Sequence, residues 1–479
     1  MEPVTPDWVK DAVFYQIFPD RFARSDKVPK PANLQAWDAP PTYHAFKGGD
    51  LLGVVEHLDY LVDLGVNAIY FNPIFSSAAN HRYHTYDYYQ IDPILGGMPA
   101  FKILMGELRA RNMRIVLDGV FNHASRGFFQ FDHLLENGKE SPYVNWFHVY
   151  DWPVNAFDEH ERPNYAAWWG LHALPKFNTD HPPVREFLWN VGAYWLEQGI
   201  DGWRLDVPSE IDDDEFWREF RRRCLAVNPD AYIVGELWGD AERWLQGDQF
   251  DAQMNYPFTR AAFGFFGGHS LNQQDTVHSG LGYMEPLDGH QFADKLAYLH
   301  RRYHPQIVHA QLNMLGSHDT PRLFTIANRD VDTVRLMFLC QMTVAGAPNI
   351  YYGDEIAMPG AHEPASRRGF PWDRRESWNM ELLEDVRRFI ALRHRLPSLR
   401  RGDFRILDAG EQQIVYRRQY EGETTIVAFN NAEEAAALTV ETELPSPLVD
   451  ALDAGGEPLM GGQSTTLAPR SGRVWTYQA

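Results

Sequence analysis

Short runs of β-branched and aromatic residues recur along the chain, each followed by a polar loop and then a segment with helical apolar spacing. They lie at residues 13–18 (VFYQIF), 68–71 (AIYF), 114–118 (RIVLD), 202–206 (GWRLD), 232–236 (YIVGE), 250–255, 310–315 and 349–353 (NIYYG). Between two of them, Phe187, Val191, Tyr194 and Trp195 fall at i, i+4, i+7 and i+8, one face of a helix. Eight such alternations predict an α/β fold, a parallel sheet closed into a (β/α)8 TIM barrel. An open doubly wound sheet is the other architecture with this rhythm.

Two stretches break the rhythm. Residues 123–178 are loop-like and aromatic-rich, too long for an ordinary connection, and predict an inserted domain after the third strand. Residues 398–479 turn to short alternating runs (404–407, 413–418, 424–430, 473–477) punctuated by Asp-Ala-Gly and Gly-Gly, as in an antiparallel β-sandwich. The barrel then occupies 1–122 and 179–397.

The chain has 479 residues, with 44 Lys plus Arg against 65 Asp plus Glu and a formal charge of −21. That charge repels phosphate backbones and anionic lipid, so nucleic acid and membranes are poor partners; a neutral substrate is not repelled. Cys224 and Cys340 cannot form a disulfide framework and read as buried thiols of a reducing compartment. The first ten residues carry no signal-peptide pattern, and the longest apolar run, 336–350, is interrupted by Gln341, Gly346 and Pro348. A cytoplasmic location is expected.

The candidate chemistry sits where the strands stop. Asp118, Asp206 and Glu236 each end a β run, and Asp319 lies just past the seventh. In a barrel of this kind the C-terminal strand ends share the face that holds the active site. Arg204 precedes Asp206 by two, so the pleat points both the same way, and the cation would keep Asp206 ionised. Singly, such an Asp is usually a helix N-cap. His123 and His318 would be ordinary structural or turn residues. Together, the acids, Arg204 and the two histidines are assigned to one rim.

At these residues the sequence resembles glycoside hydrolase family thirteen, the α-amylase family. Residues 118–123 (DGVFNH), 202–206 (GWRLD), 235–238 (GELW) and 316–319 (GSHD) match its four regions in order. The resemblance implies Asp206 as nucleophile, Glu236 as general acid/base and Asp319 as the third carboxylate. It implies that Asp118, His123, Arg204 and His318 surround the reacting glucose. Tyr83, within 80–88 (NHRYHTYDY), matches a stacking tyrosine, and Arg322, in 318–322 (HDTPR), is a further candidate. Trp238, Phe177 and Trp169 are candidate sugar platforms.

Residues 174–178 (LPKFN) are similar to the MPKLN-type string of the neopullulanase, cyclomaltodextrinase and maltogenic amylase group. Those enzymes usually carry an extra N-terminal β domain that forms their dimer. Here the first barrel strand begins near Val13, which predicts a monomer or weak homodimer. Pro208 and Ser209 depart from the group's usual small residues before Glu210. Many relatives hold calcium beside the inserted domain, but of the matching positions only Asn122 persists, with Lys176 and Glu210 at the others. The second calcium loop reads RSDKVPK (24–30), leaving mainly Asp26 and Asp50. No metal or other cofactor is expected.

The implied function is a retaining hydrolase of α-1,4, and also α-1,6, glucosidic bonds in malto-oligosaccharides, cyclodextrins or related α-glucans. It needs two carboxyl groups about 5–5.5 Å apart, one ionised and one protonated. The alternatives are a transglycosylase, α-glucosidase or isomerase on the same scaffold, and, more remotely, a non-catalytic carbohydrate-binding homologue.

Overall fold

The computed structural model describes residues 2–440, 447–453, 455–462 and 464–478. Eight barrel strands follow the sequence runs: β1 Phe14–Ile17, β2 Ala68–Phe71, β3 Arg114–Gly119, β4 Gly202–Leu205, β5 Tyr232–Gly235, β6 Ala252–Gln253, β7 Leu312–Met314 and β8 Ala347–Tyr351. From β1 to β6 each strand pairs in parallel with its predecessor, and β8 pairs with both β1 and β7. A parallel bridge from Met254 to Leu312 closes the ring. Nearly every strand residue is buried, as expected where helices cover the outside and side chains fill the inside.

Two strands are shorter than their apolar runs. The 250–255 run contributes only two residues, and residue 310 ends the helix Pro305–Ala310 instead of opening β7. Helix Pro182–Glu197 carries the predicted apolar face, starting at a proline whose missing N–H costs nothing in the first turn. Its Trp195 donates an indole hydrogen bond to Tyr88 O at 2.7 Å, tying the helix to the hairpin of Phe75–Ser77 and Thr85–Ile91.

Between β3 and that helix the chain forms one helix, Phe129–Asn137, short 3-10 turns and isolated bridges such as His123 to Lys176 and Phe147 to Phe177. Past helix Met380–Arg395, the strands Asp403–Ala409, Gln413–Tyr420, Glu423–Asn430, Ser471–Gln478 and Val449–Asp450 form an antiparallel sheet. The two-stranded pair Ala436–Thr439 and Ser464–Leu467 adds Leu438 and Leu467 to the apolar cluster around Ile426 and Trp475. Arg418 Nη1 anchors this sheet to the barrel through Thr343 O at 2.7 Å, and Asn431 through Phe265 O at 2.8 Å. Cys224 and Cys340 are free and buried.

Candidate active site

Strand geometry brings the rim residues together. Asp118 is the penultimate residue of β3, Arg204 lies within β4, Asp206 is one step past β4, and Glu236 is one step past β5. Arg204 is fully buried among three carboxylates. Its Nη1 donates to Asp118 Oδ1 at 2.8 Å and Asp206 Oδ1 at 3.1 Å, while Nη2 lies 3.0 Å from Glu236 Oε2 as an ion pair. The sequence had suggested an arginine serving Asp206 alone; here one cation is shared by three acids.

Glu236 gathers further donors. Oε2 accepts from the Val207 backbone N–H at 3.0 Å, and Oε1 from the Trp238 indole at 3.1 Å. Val207 reaches that position in a left-handed conformation, φ 36°, ψ 50°, which a β-branched residue rarely adopts. The chain then enters the 3-10 turn Pro208–Glu210, pinned by the Trp217 indole on Pro208 O at 3.2 Å. The strain at Val207 is thus the bend that carries the neighbour of Asp206 onto Glu236.

One guanidinium cannot neutralise three carboxylates in a buried site. Burial, followed by the charge of Glu236, pushes Asp206 well above its ordinary value, with Arg204 opposing. Burial also raises Asp118, against the pull of Arg204. Asp319 is pushed up to about 7, first by burial and then by Glu236, with Arg367 opposing. Burial thus outweighs Arg204 at Asp206, which the sequence alone had the cation keeping ionised.

His318 and Tyr83 form the opposite wall. The tyrosine hydroxyl donates to Asp118 Oδ2 at 2.7 Å and lies 2.6 Å from His318 Nε2; the two rings are 5° from parallel. The amides of Gln16 and Asn72 approach His318 Nδ1 at 3.0 and 3.1 Å. Both donate, so Nδ1 is an acceptor and the proton sits on Nε2. Burial holds His318 neutral, well below its usual value, and Nε2 also lies 3.0 Å from Asp319 Oδ2. Arg367 Nη2 reaches Asp319 Oδ1 at 3.1 Å and its Nε donates to His318 O at 2.9 Å. His123 is buried and neutral, its value lowered by burial to about 3, and its Nε2 has no protein partner among the described residues.

Two expected sugar contacts are corrected. Phe177 is 1% exposed and stacks on Phe147 at 5.6 Å, with Tyr88 and Phe128 around it; it belongs to the apolar core of the inserted segment. Arg322 is fully buried, donating to Ser366 O at 2.7 Å and pairing with Asp354, with its guanidinium over Tyr351 and Tyr352. Those contacts brace the β8 loop, and its Nη2 is buried without a hydrogen-bond partner among the described residues. Trp238 stacks one face on Tyr256 at 3.6 Å, so its indole N–H and not that face serves the site.

Sequence reasoning missed Gln16, Tyr70, Asn72 and Arg367. Tyr70 OH donates to Asp118 Oδ2 at 2.9 Å. Gln16, Tyr70 and Asn72 sit in or just after otherwise apolar strands β1 and β2, and that polar interruption was the available signal. Arg367 lies in an irregular loop with no sequence mark.

A divalent cation does not fit the positions that hold calcium in related proteins. Lys176 Nζ pairs with Glu210 Oε2 at 3.1 Å, and Lys30 Nζ with Asp50 Oδ2 at 2.8 Å. Asp50 is otherwise committed as the cap of helix Leu51–Glu56, accepting from Gly53 N at 2.7 Å, and from Ser25 N at 2.9 Å. Asn122 Oδ1 is buried without a protein donor, but one such oxygen on backbone paired with the Lys176 segment is too few ligands for calcium.

The chain is similar to known proteins along most of its length. The model of the alpha amylase catalytic domain matches residues 16–391, and that of the alpha-amylase C-terminal domain matches 402–447. A cyclomaltodextrinase of Geobacillus thermopakistaniensis (strain MAS1) is 44% identical over 447 residues, 92% of this chain and 71% of that protein. The crystal structure of a debranching enzyme from Nostoc punctiforme superposes with a TM-score of 0.90 at 46% identity, covering 99% of this chain and 100% of that one. The ligand-free cyclic α-maltosyl-(1→6)-maltose hydrolase of Arthrobacter globiformis gives 0.89 at 38% identity, covering 99% and 100%.

Proposed function

Since this chain belongs to the α-amylase family of glycoside hydrolases, we propose that it cleaves α-1,4 bonds, and α-1,6 bonds as well, in malto-oligosaccharides and cyclodextrins, with retention of configuration. The observation carrying this reading is the single guanidinium of Arg204 in contact with both Asp206 and Glu236, which puts the two carboxyl groups on one small site.

In the first step the carboxylate of Asp206 attacks the anomeric carbon, and a proton passes from the Glu236 carboxyl to the departing glycosidic oxygen. The C–O bond breaks, and a glycosyl ester forms on Asp206. In the second step Glu236 takes a proton from water, whose oxygen displaces Asp206 and releases the sugar with its original configuration. Asp319 grips hydroxyls whose bonds tighten as the ring flattens, and beside it His123, whose Nδ1 accepts from Asn122 Nδ2 at 3.1 Å, and His318 each carry their proton on Nε2 as a donor. Arg204 remains charged throughout: burial works against its charge, but Asp118 and then Glu236 outweigh that. The α-1,6 activity is supported by the names of the Nostoc and Arthrobacter relatives.

The enzyme would act in the cytoplasm as a monomer or weak homodimer, with the glucan as its only partner. No helix among the described residues is long and apolar enough to cross a membrane. Chromatography of the products from maltotriose, β-cyclodextrin, pullulan and starch tests the reading. Maltose and glucose from the small and cyclic substrates support it; larger transfer products alone, or no turnover, overturn it.

A further inference from the structure

Trp169, on the inserted segment, is oddly placed for a side chain that only packs. It is 82% exposed, yet stacked on Trp168 with centroids 4.5 Å apart and planes within 9°. Trp168 lies in turn over His123, at 5.3 Å and 20°. A column of flat rings therefore runs from the site rim out to solvent, and the last ring shows a bare face. The backbone at Trp169 is left-handed, φ 50° and ψ 20°, a strained conformation for a bulky residue. Burial of this indole does not repay that strain, because most of the ring is in water. A strained backbone presenting an uncovered aromatic face is the mark of a binding surface rather than of a core.

We infer that the outer face of Trp169 is a carbohydrate platform, stacking a glucose unit of the α-glucan away from the bond being cleaved and so favouring longer chains. A pyranose presents a face of C–H bonds that suits the negative π face of an indole, and its neutrality suits a chain of charge −21. The ring column places the platform two stacking distances from His123. This inference rests on the glucan reading above.

The test uses Trp169→Ala and Trp169→Phe in the full chain, with kcat and KM measured on maltotriose and maltoheptaose. For Trp169→Ala, the ratio of kcat/KM on maltoheptaose to that on maltotriose should fall about 3–10-fold, through KM, as expected for the loss of one aromatic stack. Trp169→Phe should restore most of it. An unchanged ratio, in active variants, overturns the platform while leaving the glucan reading intact. So does a shift from dimer to monomer in light scattering with no change in the ratio, which would make Trp169 a subunit contact. A wild-type protein that hydrolyses neither oligosaccharide overturns the glucan reading and the platform together.

Discussion

Arg204 Nη2 lies 3.0 Å from Glu236 Oε2, so the cation of β4 touches the carboxylate of the next strand directly as well as its own neighbour Asp206. The acid/base candidate and the nucleophile candidate thus share one counter-charge. The same charge of Glu236, after burial, pushes Asp206 above its ordinary value, with Arg204 opposing.

Replacing either member should stop the chemistry without unfolding the protein. Asp206→Asn and Glu236→Gln should each lower kcat on maltotriose by on the order of 10⁴-fold, as removal of a member of a catalytic unit does elsewhere. Circular dichroism and Tm should stay at or above the wild-type values, since each amide removes a buried carboxyl from a site with too few cations. A loss below tenfold would remove that residue from the reaction.

Asp319 links pH to stability. Its value is raised from 3.8 to about 7 in the folded protein. A group raised by folding stabilises fully below its unfolded value, and that contribution is lost as pH climbs through about 7. Asp319→Asn should therefore raise Tm relative to the wild type, and by more at pH 8 than at pH 5. Arg367 opposes the rise, so Arg367→Met should move the acid limb of kcat/KM to higher pH. A limb that stays in place or moves down would contradict the assignment.

The barrel was largely legible because its strands are buried on both faces and read as mostly apolar runs, three of them (114–118, 202–206 and 232–236) ending in an acid. Asp118, Arg204, Asp206 and Glu236 could be placed together from strand position alone. Phe177 and Arg322 were misread for opposite reasons. An aromatic in a loop-rich insertion reads as exposed until its partners Phe147 and Phe128 are seen, and an arginine near a catalytic string reads as a ligand until Tyr351, Tyr352 and Asp354 enclose it. Arg367 gave no signal because its contact with Asp319 joins distant loops.

The pair Gln16 and Asn72 should act through His318. Asn72→Asp would put a carboxylate where an amide now donates to Nδ1 and to Tyr83 OH at 3.0 Å. The histidine would then gain a proton on Nδ1 and titrate closer to neutral. The expected outcome is a roughly tenfold fall in kcat/KM and a new histidine transition in its pH profile. Asn72→Ala should lose activity without that transition. Identical profiles for the two variants would reduce Asn72 to a packing role.

Because Lys30 and Lys176 supply fixed positive charge at Asp50 and Glu210, dialysis against EDTA should leave kcat and Tm unchanged. Loss of activity restored by calcium would show that a cation binds despite both ammonium groups.

The central claim is that Asp206 becomes covalently attached to the sugar. The most direct measurement is peptide mass spectrometry after trapping turnover with a 5-fluoroglycosyl fluoride. The account predicts one glycosyl adduct, on the peptide holding Asp206; an adduct on Glu236 or Asp319 would contradict it.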